Sequence, residues 1–194
     1  MRCDLILAGV GGQGILSIAT ILDRVALRLG LAVKQAEVHG MAQRGGAVQS
    51  HLRISDREIA SDLIPHGSAD LILSVEPMEA VRYLDWLRPD GAVVSSASPF
   101  VNIPDYPNIE EVLSAIRKVR RHVLLDTRAL AKQAGNARAE NTVMLGAASP
   151  FLPFPPETIR AEILAAFAGK GGAVVEANGR AFDLGAAQAE SQGC

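Results

Sequence analysis

The chain opens with an apolar strand, a glycine-rich turn and an apolar helix, and this order constrains its fold most strongly. The turn, residues 9–14, reads Gly-Val-Gly-Gly-Gln-Gly, so four of its six positions are glycine. Residues 5–8 before it are continuously apolar, which is typical of a strand buried on both faces of a parallel sheet. Apolar residues after it recur every three or four positions through Leu29, as in an amphipathic helix. Because a helix amino end offers unpaired N–H groups and partial positive charge, the order predicts an anion site at the turn.

The remaining pattern predicts an α/β fold, namely a Rossmann-like, largely parallel sheet with an inserted β-hairpin and a helical C-terminal part. Residues 47–54 alternate in polarity and residues 59–64 are apolar, so these two runs are the predicted arms of the hairpin. Pro77 is expected to begin a helix that Pro89, Asp90 and Gly91 end. Further strands are predicted at 31–38, 70–75, 92–95 and 122–125, and helices at 109–119, 128–134, 140–148, 156–167 and 173–187. The helical tail either covers a sheet face or packs on another chain.

Composition excludes several classes of protein. The 194 residues are 48% hydrophobic and contain no run of eighteen apolar residues, so we expect one globular domain over residues 1–194 and no membrane span. Asp4 interrupts the position of a secretory signal, which favours a cytoplasmic protein. The net charge of −2 and the dispersed charged residues give no support for nucleic-acid binding.

The two cysteines, Cys3 and Cys194, lie at opposite ends of the chain. They form no CxxC spacing, so the chain offers no ligand set for an iron–sulfur cluster or a structural zinc. Cys3 adjoins the first strand and is expected to be a small core residue. No metal site is predicted.

The glycine turn has two interpretations from its residues alone. Gly9, Gly11 and Gly14 fit GxGxxG, and Glu37 follows at roughly the twenty-residue spacing of a ribose-binding acid, which favours a dinucleotide site. Alternatively, the glycines only allow strand and helix to pack closely. A phosphate loop of the ATPase type is excluded, because Ile15 and Leu16 occupy the positions of its lysine and hydroxyl residue.

A second glycine-containing segment, residues 39–53, is harder to explain by packing. Arg44 precedes Gly45 and Gly46, which places a permanent cation beside backbone that can approach a ligand, as phosphate or carboxylate recognition requires. The alternative is that Arg44 and Arg53 are solvated. His51 is then expected on the outer face of the hairpin, and His39 at a strand end.

Three ordered motifs carry a family resemblance: LILAGVGGQG at 5–14, EVHGMAQRGGAVQSHLR at 37–53 and ENTVMLGA at 140–147. The chain resembles the gamma-domain family of 2-oxoacid:ferredoxin oxidoreductases over nearly its whole length, and most of all the small beta subunits of its indolepyruvate branch. The resemblance implies a single pyruvate/ketoisovalerate oxidoreductase gamma-type catalytic domain over residues 1–194. It implies a subunit that supports oxidative decarboxylation of a 2-oxo acid, with coenzyme A capturing the acyl group and ferredoxin accepting electrons.

The resemblance also assigns the cofactors. Thiamine diphosphate, magnesium and the iron–sulfur clusters are expected on a large partner subunit, and this chain alone is expected to be inactive. Coenzyme A is expected near the subunit interface. By the same resemblance, the candidate binding residues are Gly11, Gly12, Gln13, Arg44 and Asn141, and no residue is assigned a catalytic role. Asn141 either presents an oriented amide or caps a helix.

Two other functions stay open from the residues. One is a stand-alone NAD(P)- or FAD-dependent oxidoreductase that uses the glycine turn and Glu37. The other is a non-catalytic domain that senses an acyl-coenzyme A. The identity of the 2-oxo acid is not encoded in a recognisable motif of this chain, and an aromatic acid is favoured only by the resemblance.

Overall fold

The computed structural model describes residues 1–39, 45–101 and 103–193, with the side chain of His39 left aside. Within these residues the strands are β1 (Arg2–Val10), β2 (Ala32–His39), β3 (Ala47–Ser55), β4 (Ala69–Ser74), β5 (Leu87–Ser96) and β6 (Arg121–Leu125). The α-helices are α1 (Ile15–Arg28), α2 (Pro77–Arg82), α3 (Ile109–Arg117), α4 (Thr127–Gln133), α5 (Glu140–Ala148), α6 (Pro156–Phe167) and α7 (Gly172–Ser191).

The strands form one six-stranded sheet in the order β2-β3-β1-β4-β5-β6. Strands β1, β4, β5 and β6 are parallel, whereas β3 runs antiparallel to both β1 and β2. The carboxyl ends of β1, β2, β4, β5 and β6 therefore share one edge of the sheet, which we call the carboxyl edge. In open parallel sheets, ligands bind outside this edge.

Alternate residues of the strands face two apolar layers. Leu5 and Leu7 face a large cluster that contains buried residues of α1, α4, α5, α6 and α7, whereas Ile6 faces a smaller cluster with α2 and α3. Both faces are thus covered, which explains the continuous apolar character of β1. The C-terminal helices belong to the larger layer, so the helical tail covers a sheet face.

The structure corrects two predicted elements. Residues 59–64 are not a strand, and the antiparallel partners of β3 are β2 and β1. Their apolarity has another cause, because Ile59 and Ile64 are buried as loop residues. Helix α2 ends at Arg82, and Pro89 to Gly91 lie within β5. The pairing of β4 with β5 is irregular there, and a proline is tolerated in a strand where regular ladder bonds are absent.

Helices α5 and α7 pack unusually close together at two glycines. A Cβ atom at Gly146 would lie 2.0 Å from the carbonyl oxygen of Phe182, and one at Gly185 would lie 2.0 Å from that of Val143. Real Cβ atoms do not approach backbone so closely, so both positions need glycine. This contact holds α5, and with it Asn141, against the sheet layer.

The outer edge of β6 is covered by one side chain that follows α7. The Nε2 atom of Gln192 donates to the carbonyl oxygen of Leu124 at 3.0 Å, and its Oε1 atom accepts from the N–H of Leu124 at 3.2 Å. This pair of bonds imitates the next strand of a ladder. No helix within the described residues has the length and apolarity needed to cross a membrane.

Candidate functional site

The glycine turn lies at the centre of the carboxyl edge. Gly12 and Gly14 have φ angles of 101° and 78°, a region that favours glycine. The N–H of Gly11 donates to the carbonyl oxygen of Gly46 at 2.8 Å, and the N–H of Gly45 donates back to Gly11 at 3.3 Å. These bonds join the turn to the start of β3. The turn is therefore fixed by backbone bonds on the β3 side.

The side chain of Gln13 forms hydrogen bonds that hold the turn in place. Its Oε1 atom accepts from the N–H of Val10 at 2.7 Å, and its Nε2 atom donates to the carbonyl oxygen of Val75 at 3.4 Å. The amide thus links the end of β1 to the residue that follows β4. Both polar atoms of the Gln13 side chain are thus already bonded within the chain.

Asn141 lies at the second position of α5 and reaches across to the turn. Its Nδ2 atom lies 3.0 Å from the carbonyl oxygens of Gln13 and Gly14 and 3.1 Å from the Oγ atom of Ser17. A Cβ atom at Gly14 would lie 2.6 Å from the same nitrogen. The helix-cap alternative is wrong, because the residue before α5 is Ala139 and no side chain caps that helix. Asn141 instead orders the turn.

One cavity, of about 390 Å³, opens between the turn and the β2–β3 hairpin. Its lining is mostly apolar and includes Val10, Gly11, Gly12, Gly14, Ile15, Leu16, Glu37 and Val48. Glu37 therefore faces the turn, as a dinucleotide site requires. However, β3 lies between β2 and β1, so Glu37 is two strand spacings of about 4.8 Å each from β1 instead of one. This displacement weakens the ribose-binding interpretation of Glu37.

A second cavity, of about 270 Å³, lies on the other side of the turn and is polar. It is lined by Gly12, Gln13, Val75, Phe100, Thr127, Arg128, Arg138, Glu140, Asn141 and Met144. A third cavity, of about 300 Å³, adjoins it through the shared residues Arg138 and Asn141 and extends along α1 to Arg24. The two together form a groove beside the amino end of α1.

Two exposed guanidinium groups border this groove. The side chain of Arg138 has no hydrogen-bond or ion-pair partner in the described part of the chain, and Arg128 has only a 4.0 Å contact with Glu140. The Oε2 atom of Glu140 also accepts from the hydroxyl of Thr127 at 2.9 Å. The groove thus presents positive charge next to the turn. Sequence reasoning missed both arginines, although Arg128 is the third residue after β6 and Arg138 lies just before α5.

The cation predicted from the sequence, Arg44, lies outside the described residues, as does the rest of 40–44. The expectation of a solvated Arg53 is wrong, because Arg53 is buried and its guanidinium bonds Asp4 and the carbonyl oxygens of Ser61 and Leu63. These partners make Arg53 structural.

His51 and Cys3 take no part in the groove, whereas His39 ends β2 and its side chain lies outside the described part of the chain. His51 is buried instead of lying on an outer face, and its Nδ1 atom accepts from the N–H of Ile64 at 3.0 Å. Burial, helped by the charge of Arg53, lowers the pKa of His51. Burial also raises the pKa of the Cys3 thiol to about 12, consistent with the predicted core role. Among residues 1–39, 45–101 and 103–193, no three acidic, histidine or cysteine side chains cluster as metal ligands do.

Comparison with known proteins decides the family. A family profile described as pyruvate ferredoxin/flavodoxin oxidoreductase matches residues 4–188. The chain belongs to this family. It is 36% identical to indolepyruvate oxidoreductase subunit IorB of Pyrococcus horikoshii, over 94% of this chain and 93% of that protein. It is also 36% identical to the IorB subunit of Archaeoglobus fulgidus, over 98% of this chain and 97% of that one.

A solved structure shares the fold of this family member. It is 2-oxoglutarate:ferredoxin oxidoreductase from Magnetococcus marinus, with 2-oxoglutarate, coenzyme A and succinyl-CoA bound. The likeness has a TM-score of 0.78 at 23% identity and covers 98% of this chain. This chain spans about a third, 31%, of that longer chain. The α/β fold and the family inferred from the three motifs are thus confirmed, and the family is one of oxidoreductases.

Proposed function

We propose that this chain is the small subunit of a 2-oxoacid:ferredoxin oxidoreductase acting on indolepyruvate or a related aryl-2-oxo acid. In the reaction, the 2-oxo acid loses carbon dioxide, its acyl group is transferred to coenzyme A, and the released electrons pass to ferredoxin. The identity over nearly the full length of proteins named as indolepyruvate oxidoreductase subunits supports this assignment.

The redox and decarboxylation chemistry is assigned to a partner. Thiamine diphosphate would stabilise the carbanion, and iron–sulfur clusters would carry the electrons. The described residues of this chain do not fit either group, because Cys3 is buried and no cluster of metal-ligating side chains is present among them. We therefore place thiamine, magnesium and the clusters on a large subunit.

The part played by this chain is to hold an anionic end of coenzyme A. The observation that carries this proposal is the groove beside the glycine turn, bordered by the exposed guanidinium groups of Arg128 and Arg138. Guanidinium groups bind phosphate oxygens through paired hydrogen bonds, and coenzyme A carries phosphates. Gly12 lets backbone approach the same groove. Gly11, Gly12 and Asn141 then position the ligand site, whereas Arg44 remains a prediction.

Reconstitution tests the assignment. The purified chain alone should be colourless and inactive, and addition of a thiamine- and cluster-bearing large subunit should restore reduction of ferredoxin that depends on both 2-oxo acid and coenzyme A. Charge removal in the Arg138→Gln variant should raise the KM for coenzyme A about tenfold or more, with little change in the KM for the 2-oxo acid. Turnover by the isolated chain would contradict the assignment.

A stand-alone nicotinamide or flavin enzyme is the second candidate. The observation in its favour is the cavity shared by the glycine turn and Glu37. Titration of the isolated chain with NAD, NADP and FAD separates the two candidates, because only this second function requires saturable binding without a partner. Binding of an acyl-coenzyme A by a chain that ignores the large subunit would instead favour a sensing domain.

A further inference from the structure

Large exposed apolar side chains concentrate at the carboxyl edge of the sheet. Of the nine found among the described residues, five belong to segments at this edge: Leu16, Val38, Phe100, Val101 and Ile103. Three of these five lie within four consecutive positions after β5, and Val101 is 68% exposed. Contiguous exposed apolar residues of this kind mark an interaction surface, whereas singly scattered ones do not. We call Phe100, Val101 and Ile103 the apolar loop.

A buried carboxylate anchors the apolar loop on both sides. Glu76 is 0% exposed and follows β4. Its Oε1 atom accepts from the N–H of Phe100 at 3.3 Å and from the hydroxyl of Tyr106, while its Oε2 atom accepts from the N–H of Glu79 at 2.9 Å. A carboxylate removed from water needs such bonds. These bonds hold Phe100 and Tyr106 in place before any partner binds, which lowers the entropic cost of ordering the loop on binding.

The apolar loop borders the candidate site. Phe100 lines the same polar cavity as Gly12, Gln13 and Arg138. A macromolecule seated on Val101 and Ile103 would thus form a wall of that cavity. Protein interfaces have an apolar core surrounded by a polar rim. The apolar loop would supply such a core, and the polar groove beside it would supply part of the rim.

The length of the Magnetococcus chain indicates the occupant. There, this fold makes up 31% of a single longer chain, so the rest of that chain is covalently attached to it. If the function proposed above is right, the corresponding part of the present enzyme is a separate polypeptide, and it needs a docking surface on this chain. We propose that the apolar loop is that surface and that its occupant is the large partner subunit. The inference rests on the proposed function and names the contact that this function requires.

The test compares two aspartate variants at apolar residues of similar exposure. Val101→Asp introduces a charge into the apolar loop. Leu27→Asp is the matched control, because Leu27 is 63% exposed but lies twelve residues along α1 from Ile15, about 18 Å away along the helix axis. Each tagged variant is co-expressed with the large subunit, and the dissociation constant is measured with the purified partners. Thermal unfolding of each variant checks that the chain still folds.

Val101→Asp should weaken binding of the large subunit about tenfold or more, while Leu27→Asp should leave it within about threefold of the original chain. Equal binding by both variants, or loss with Leu27→Asp alone, would overturn the docking surface but leave the proposed function intact. A large subunit that fails to bind even the unaltered chain would refute the proposed function, and the docking proposal with it. A homodimer of this chain that Val101→Asp dissociates would assign the surface to a second copy and also overturn the proposal.

Discussion

The side-chain amide of Asn141 donates a hydrogen bond to the carbonyl oxygen of Gly14, 127 residues earlier, at 3.0 Å. This bond couples the start of α5 to the glycine turn that ends β1. Arg138 precedes Asn141 by only three residues, so the same contact holds the backbone of that exposed arginine near the turn. Asn141, a candidate binding residue from its motif, bonds the turn in the structure, and its contact with a ligand stays a prediction.

Removing this amide should loosen the turn. We expect Asn141→Ala to lower the free energy of unfolding by about 0.5–1.5 kcal/mol, because the carbonyl oxygens of Gln13 and Gly14 lose their donor. Ser17→Ala removes the third acceptor and the hydroxyl that donates to Gly14 at 2.6 Å, but it leaves both bonds from Asn141 to backbone carbonyl oxygens and should cost less. Urea unfolding of the original chain and of the two variants measures these losses of stability. An Asn141→Ala variant as stable as the original chain would contradict the role given to the amide.

Gly14 and Asn141 should be energetically coupled. Gly14→Ala forces a Cβ atom within 2.6 Å of the Asn141 amide and a side chain onto a φ of 78°. The steric part disappears when Asn141 is also alanine, whereas the backbone part remains. We therefore expect the double variant to be more stable than the sum of the two single losses, by about 1 kcal/mol. Gly30→Ala, with a φ of 72° and open space, measures the backbone part alone. Strict additivity would show that the predicted clash does not occur.

The contact between α5 and α7 should tolerate no side chain at Gly185. A Cβ atom 2.0 Å from the carbonyl oxygen of Val143 requires the helices to separate, which should cost about 3 kcal/mol or more. Gly172→Ala is the control, because it lies in the same helix with nothing within 4 Å. That variant should be neutral or slightly more stable, since alanine favours helices. Similar midpoints of thermal unfolding for the two variants would contradict the packing.

Stability should depend on pH through Asp23. Burial raises the pKa of this carboxyl from 3.8 to about 6, and its Oδ1 atom has no hydrogen-bond partner in the part of the chain that the structure describes. The folded chain therefore binds the proton more tightly than the unfolded chain, so the contribution of Asp23 becomes less favourable as pH rises from about 4 to above 6. The stability of Asp23→Asn relative to the original chain should be greater at pH 7 than at pH 4. Urea unfolding at both values checks this, and the same difference at each pH would contradict it.

The fold was largely predictable because its strongest patterns are local. The apolar run of β1, the spacing of α1 and Pro77 at the start of α2 each carry enough information in a few residues. Residues 59–64 were assigned wrongly because apolar side chains that a loop buries, here Ile59 and Ile64, cannot be told from strand residues by composition. Pro89 to Gly91 resemble a helix end, but an irregular stretch of β5 accommodates them as well.

Of the candidate site, the sequence predicted the glycine turn but not the contacts of the side chains around it. Glycines identify the turn from sequence alone, since few other residues fit its φ angles. Arg138 lies near the turn because Asn141, three residues later, bonds Gly14. No local sequence pattern encodes that long-range contact. Glu76 is hidden for the same reason, because a glutamate after a strand reveals its burial only when Tyr106 and Phe100 are seen around it.

The cover that Gln192 places over β6 limits how copies of this protein can associate through their sheets. A continuous ribbon of molecules needs an open strand at each side of every molecule, and here Leu124 already has both of its outward backbone groups satisfied. Strand addition at β6 would have to displace Gln192, whereas β2 is the opposite edge strand. Two molecules that joined through β2 would form a twofold pair whose outer edges are the β6 strands, each bonded by Gln192. The sheet thus permits pairing and resists growth into fibrils.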